Sequence, residues 1–360
     1  MALVDTENIL EEEHHHHEPF IAHHFESAEQ QFDSGKLGIW IFLVTEILFF
    51  SGLFVAYTLY RVLHPEIFEQ AHHFLDKNLG AMNTIVLLFS SLTMALGVHA
   101  AQKAENKKCG MYVLITMVCA AMFLGVKAVE YSHKWDLGIF VRSAFSLNTH
   151  HAEGFHISPY LMYLSAIPCL LLVAFIAAAF FGKMTDNPIF SKFSAGMAIT
   201  VGGYFLGVFV GMGFMALTAD SSSHANLNVE PAQPVVLQAM TLDDEKHAHE
   251  EGHDHDHEHA DGEHAHAEGS HGDGHGDAHH EEPPELSRDV GIFFSIYYCM
   301  TGLHAIHIIA GIIALAWIYW RCLALHWRAD YFGPVDYVGL YWHLVDLIWI
   351  YLFPLLYLID

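Results

Sequence analysis

The chain has 360 residues, 53% of them hydrophobic and only 16% charged, yet 41 acidic against 15 basic residues leave a formal net charge of −26. Soluble chains carry about 25% charged residues, so charge and apolarity must occupy different stretches. They do: the acids and most of the 31 histidines crowd residues 1–33 and 220–285, and the remainder is strongly apolar. That remainder excludes a soluble enzyme, and the sign of the charge excludes a nucleic-acid binder.

In chain order, residues 1–36 form an acidic, histidine-containing tail with neither the basic nor the apolar region of a secretory signal. Phe20, Ile21, Phe25 and Phe32 would suit a short interfacial helix. A bilayer core needs about 20 apolar residues per helix, and seven stretches qualify: Leu37–Tyr60, Leu79–Ala101, Met111–Tyr131, Tyr160–Phe181, Ala195–Leu217, Val290–Trp320 and Val335–Leu358. Breakers lie between them at His64-Pro65, Asn106 to Gly110, Ser158-Pro159, Asn187-Pro188 and Gly333-Pro334. No period-two alternation marks a β-barrel. The expectation is an all-α integral membrane protein, a bundle of seven transmembrane helices. Cysteines 109, 119, 169, 299 and 322 form no CxxC, so neither a disulfide framework nor a thiolate metal site is expected.

Lysine and arginine in short loops set orientation. Lys36, Lys103, Lys107, Lys108, Lys183, Lys192, Arg321 and Arg328 fall on the side of the amino terminus. Arg61, Lys77, Lys134, Arg142, Lys246 and Arg288 fall on the other side, spread over far more residues. The bias places the amino terminus inside and the carboxyl terminus outside. The segment Asp220–Glu285 is then extracytoplasmic. From His247 to His280 it holds no apolar residue larger than alanine, so it is expected to be disordered. His253, His255, His257 and His259, with interleaved acids, are weak candidates for Zn²⁺, Cu²⁺ or Ni²⁺. A flexible tract must be ordered by the metal it binds, so a solvated linker competes with metal buffering.

Ionisable groups within the apolar spans are costly and need an account. Glu46 sits mid-span, either as a carboxyl hydrogen-bonded to a neighbouring helix or as a proton-relay or lipid-contacting acid. Lys127 and Glu130 are spaced for a local ion pair, with Lys127 alternatively snorkelling to the headgroups. His304 and His307 share one helix face, as do His343 and Asp346, where a carboxylate one turn from an imidazole can fix its tautomer. The competing reading is an interhelical hydrogen-bonded network. His99, His304, His307 and His343 are enough histidines for haem, but i,i+3 neighbours cannot ligate opposite haem faces. Gly203, Gly207 and Gly211 make a GxxxG ladder for close helix approach.

Several runs together carry a family resemblance. They are Lys36-Leu-Gly-Ile-Trp-Ile-Phe-Leu-Val-Thr-Glu46-Ile-Leu-Phe-Phe-Ser-Gly52, Met82-Asn-Thr-Ile-Val-Leu-Leu88, Gly125-Val-Lys-Ala-Val-Glu130-Tyr131, Thr301-Gly-Leu-His304-Ala-Ile-His307 and Gly339-Leu-Tyr-Trp-His343-Leu-Val-Asp346-Leu-Ile-Trp349. In them the chain resembles subunit III of the haem–copper oxygen reductases, above all of cytochrome c oxidase. The resemblance implies a non-catalytic, cofactor-free subunit of the inner (cytoplasmic) membrane. The haems and copper would lie in partner subunits, with direct packing on subunit I and association with subunit II and other members. It implies support of proton uptake, protection of the catalytic subunit, and phospholipid held in a cleft. It also gives Glu46 as the cleft's buried carboxylate and Glu130, His304, His307, Arg321, His343 and Asp346 as polar positions at packing and lipid contacts. Arg321 is the natural phosphate partner.

The chain departs from the family between the Glu130 and TGLHAIH spans, where two spans and the acidic tract stand inserted. The expected organisation is a tail at 1–36, three family spans in 37–131, an inserted region at 132–218, the loop at 219–289 and two family spans in 290–360. The inserted spans would wall the lipid cleft or contact another respiratory complex or cytochrome. The alternatives are a metal-ion transporter with a His-rich loop, and a subunit III homologue of a quinol oxidase or nitric oxide reductase. Deleting His247–His280 is expected to leave O₂ reduction and assembly intact in metal-replete medium; lost assembly would refute the linker reading.

Overall fold

The computed structural model describes residues 25, 27–71, 74–139, 158–224, 285–328 and 331–359. Eight helices occupy them: α1 (Ala28–Leu63), α2 (Pro65–Ala71), α3 (Lys77–Gln102), α4 (Asn106–Asp136), α5 (Pro159–Met184), α6 (Pro188–His224), α7 (Glu285–Leu323) and α8 (Gly333–Tyr357). All but α2 are long and apolar enough to cross a membrane. This is the all-α membrane bundle expected from the apolar stretches. The His-rich tract and most of the amino-terminal tail, with His253, His255, His257 and His259, lie outside the described residues.

The helix starts follow local chemistry. Orphan N–H groups of a first turn need an acceptor. The Ser27 hydroxyl accepts from Gln30 N–H at 3.2 Å, and the Asp76 carboxylate from Asn78 and Leu79 at 2.9 and 3.2 Å. Ser158 and the Asn187 side-chain carbonyl do the same for α5 and α6. Pro159 follows its cap directly, where its missing N–H costs nothing. Two expectations shift. His64-Pro65 ends α1 but at once starts α2, since proline suits a first helical turn. Asn106 to Gly110 is not a loop but the first turn of α4. The chain reverses just before it, where Ala104 takes φ 56°.

The core fills the space between α3, α4, α7 and α8, around side chains such as Leu87, Met117, Phe123, Met300, Trp342 and Trp349. α1 touches this core along a narrow seam: its buried residues are Leu43, Phe50 and Tyr57, seven apart. The Tyr57 hydroxyl donates to the carbonyl of Leu355. At the other end of the seam Tyr337 donates to the Phe32 carbonyl at 2.8 Å. Most of α1's other large side chains, Leu48 and Val55 among them, are exposed, as are most of α5's. These are surfaces for lipid or for other protein.

α6 lies on the face of α4 away from α3 and α8, with α5 outside it. A Cβ on Gly203 would come within 2.8 Å of the Val118 carbonyl oxygen, and one on Gly207 would collide with the backbone of Met122. From the other side, a Cβ on Gly125 would lie 2.9 Å from the Val208 nitrogen. The glycine ladder thus meets a glycine on its partner and lets the two backbones touch. Gly207→Leu is expected to pry α6 from α4, costing about 1–3 kcal/mol as overpacking does. Gly202→Leu, with nothing within 4 Å of its Cβ position, should leave the melting temperature in detergent unchanged. Equal melting temperatures for the two variants would show that the contact does not hold the helices together.

Candidate functional site

The inward face of α4 carries Lys127, Glu130 and Lys134, at spacings that stack side chains along one helix face. Lys127 Nζ lies 2.8 Å from Glu130 Oε2, and Lys134 Nζ 2.5 Å from Oε1. Tyr297 of α7 and Tyr357 of α8 donate to the same Oε1 at 2.8 and 2.6 Å. Their oxygens in turn accept from Lys127 at 3.1 and 2.8 Å, and Tyr297 also accepts from Lys134 at 3.1 Å. All three donors of the Lys127 ammonium are therefore used, and its charge faces the rings of Trp349, Tyr131, Tyr297 and Tyr357 at 5.0–5.5 Å. All five polar side chains of the cluster are buried.

The Lys127–Glu130 pair is the one expected from spacing, but the snorkelling alternative is overturned. Lys127 is 5% exposed because a carboxylate and two phenols supply what headgroup water would. Lys134 is 1% exposed and is no loop cation, so it drops out of the orientation count. Sequence reading missed Lys134, Tyr297 and Tyr357 as partners. The i+4 spacing from Glu130 to Lys134 was a usable signal; the tyrosines, on distant helices, gave none.

Glu46 and His307 meet across α1 and α7. His307 Nε2 stands 2.9 Å from Glu46 Oε2, and its Nδ1 stands 2.8 Å from the carbonyl of Leu303. A carbonyl only accepts, so Nδ1 carries the hydrogen. Nε2 and the carboxyl then share one proton, as imidazolium with carboxylate or as imidazole with carboxylic acid. Both side chains remain partly exposed, at 16% and 18%. The two histidines of the TGLHAIH run part company: His304 is fully buried, stacked on Trp349 at 5.4 Å and edge-on to Phe123 at 5.7 Å. Neither of its ring nitrogens has a hydrogen-bond partner among the described residues.

The tautomer-fixing role for Asp346 on His343 is also overturned. His343 Nδ1 lies 2.6 Å from the Ser91 hydroxyl, while Asp346 takes a long contact of 3.5 Å from Ser90, which itself accepts from the Trp342 indole at 3.1 Å. The two side chains point to successive serines of α3, one helical turn apart on α8. Asp346 Oδ1 and both polar atoms of Asn83 have no partner among the described residues. Arg321, at the end of α7, lies over the rings of Trp317 and Trp327 at 5.4 and 5.9 Å, with its buried Nε unpartnered among the described residues. Among the described residues no group of three or more His, Cys, Asp or Glu could hold a metal ion.

The sequence model of the family described as "Cytochrome c oxidase subunit III" matches residues 16–187 and 283–360, well over half of the chain. The unmatched stretch comprises α6 and the tract, so α5 lies within the match. Among curated relatives, cytochrome c oxidase subunit 3 of Thermostichus vulcanus is 39% identical over 70 residues, 19% of this chain and 35% of that protein. Quinol oxidase subunit 3 of Bacillus spizizenii is 32% identical over 130 residues, covering 34% of this chain and 57% of its own length. A protein of Aeropyrum pernix named "Heme-copper oxidase subunit I+III" is 35% identical over 75 residues, 21% of this chain and 9% of that one. The chain thus spans about a quarter to three fifths of the length of the subunit 3 relatives it matches.

Glu130→Gln would leave two buried ammoniums without their carboxylate, and losing one partner of a buried pair costs about 3–5 kcal/mol. A large fall in melting temperature, or failure to accumulate, is the expected outcome. Tyr297→Phe removes one hydrogen-bonding hydroxyl and should cost more than an exposed Tyr→Phe change such as Tyr163→Phe. A Glu130→Gln protein as stable as the parent would show that the cluster is not a structural centre.

Proposed function

Because this chain belongs to the cytochrome c oxidase subunit III family, we propose that it serves a haem–copper terminal oxidase as its non-catalytic third subunit. The family match across both ends of the chain carries this reading. Its haems and copper would sit in partner subunits, and this chain would pack directly on subunit I, near subunit II. The Aeropyrum pernix relative, whose name joins subunits I and III, supports that adjacency. The matched relatives are named for both cytochrome c and quinol oxidases, so the reading extends to the oxidase class and leaves the donor to the partner chains. Family membership also displaces the transporter alternative. The membrane would be the cytoplasmic one, with the amino terminus inside.

In this role the chain's own groups hold protons and lipid. The Glu46–His307 pair shares one proton between helices at a partly exposed position. A proton can thus be taken up or handed on there without leaving a bare charge in the hydrocarbon. Its partly exposed place between α1 and α7 suits the supporting roles of proton uptake and phospholipid contact. Arg321, with its guanidinium over Trp317 and Trp327 at the end of α7, carries the charge that would suit a lipid phosphate there. α1 packs on α2, α7 and α8, whereas α6 packs on α4, α5 and α7. The added α6 therefore stands apart from Glu46 and would not wall a lipid cleft there. A contact with another complex remains a role for α5 and α6.

Mild-detergent purification should bring down a haem-bearing chain with this one, and haem absorption should leave with that chain on dissociation. Haem bands that stay with the isolated chain would overturn the reading. Glu46→Gln is expected to shorten the complex's endurance over many turnovers more than it lowers the initial rate of O₂ reduction. Immediate and complete loss of rate with assembly intact would refute a supporting role for the pair.

A further inference from the structure

The docking of α6 creates a cavity of about 410 Å³ at the end of the bundle where α4 and α6 begin and α7 ends. Its floor is closed where α4 and α7 nearly touch: a Cβ on Gly110 would lie 3.2 Å from the Cys322 Cβ. Its far wall is Tyr319, which packs against Gly196 of α6 and reaches the Lys192 carbonyl at 3.5 Å. Met111, Leu114, Ile189 and Leu323 line it with hydrocarbon, and Lys107 and Lys192 are the charged residues of the lining. Neither lysine makes an ion pair among the described residues, and the nearby carboxylate of Glu105 is taken by Lys108 at 3.0 Å. The first turns of α4 and α6 add the positive ends of two helix dipoles.

The geometry points to a binding site for one anionic phospholipid, its phosphate held between Lys107 and Lys192 and an acyl chain lying along Met111, Leu114, Ile189 and Leu323. Two unpaired cations beside a hydrocarbon wall match a ligand that is itself charged at one end and apolar at the other. A soluble anion would use the lysines and leave the apolar wall facing water. The site lies on the α4–α6 side of α7, away from the Glu46–His307 pair on the α1 side. One of its walls, α6, falls outside the stretches that match the family.

The test counts lipids on the full chain, purified with whatever subunits accompany it, by native mass spectrometry. The protein is first stripped in detergent and then offered phosphatidylglycerol, phosphatidylcholine or inorganic phosphate. The parent is expected to retain one more phosphatidylglycerol per chain than Lys107→Gln/Lys192→Gln. Ile189→Trp, which fills the cavity without changing its charge, should lose the same molecule. Phosphatidylcholine should not replace it. Equal counts in the parent and both variants would overturn the site. Lysine-dependent capture of inorganic phosphate without lysine-dependent lipid would overturn it in favour of a soluble anion. The count is read on this chain, so it stands or falls independently of which subunits co-purify.

Discussion

Glu130 accepts from two ammoniums and two phenols contributed by three helices, all of them buried. A charge brought into hydrocarbon costs several kcal/mol unless its hydrogen-bonding capacity is met by fixed partners. That constraint dictates much of the bundle. Lys127 and Lys134 need Glu130, Glu130 needs Tyr297 and Tyr357, and each tyrosine fixes the height of its helix against α4. The cluster therefore sets the register of α7 and α8 at one end of the core, where hydrophobic contact alone would allow sliding. Further along, the aromatic sandwich of Phe123, His304 and Trp349 continues the packing, and the Trp349 indole donates to Thr84 of α3 at 3.0 Å.

α4 is consequently two-faced. Its inner face carries the charged cluster and Thr116, whose hydroxyl meets Thr93 at 2.8 Å. Its outer face carries Gly125 and the backbone that the α6 glycines approach. The two faces use opposite physics: hydrogen bonds that specify a register within, and close apolar approach without. The outer contact depends on glycine at the crossing, and α6, outside the family match, is the helix found there.

The seven spans, the glycine ladder and the Lys127–Glu130 pair were legible because each is encoded at fixed spacing along one segment. The partners of Glu46, His343 and Asp346 were not, since they lie on other helices hundreds of residues away in sequence. The i,i+3 spacing of His304 and His307 correctly put both deep in one span but suggested a shared role. A helix turns about 100° per residue, so three residues leave a 60° offset. That offset is enough here to turn His307 toward α1 and His304 toward α4 and α8. Cys109 and Cys322, with sulfurs 3.4 Å apart though 213 residues separate them, make the same point: the absence of a CxxC says nothing about cysteines that meet through the fold.

The thin attachment of α1 bears on the way the Glu46–His307 pair can work. α1 is held by a narrow seam, by Tyr57 on Leu355, by Tyr337 on Phe32, and by the pair itself. A proton shared between a carboxyl and an imidazole changes the electrostatics of that seam according to which partner holds it. In the ion-pair form the attraction across the seam is strong; in the neutral form it falls to one ordinary hydrogen bond. Lipid or a neighbouring subunit pressed on the exposed side of α1 would alter the solvation of the same pair. Proton position and the packing of α1 are then linked in both directions, as any two events sharing one free-energy change must be. In the proposed role, such a linkage would let this chain influence the proton traffic of a subunit packed on it.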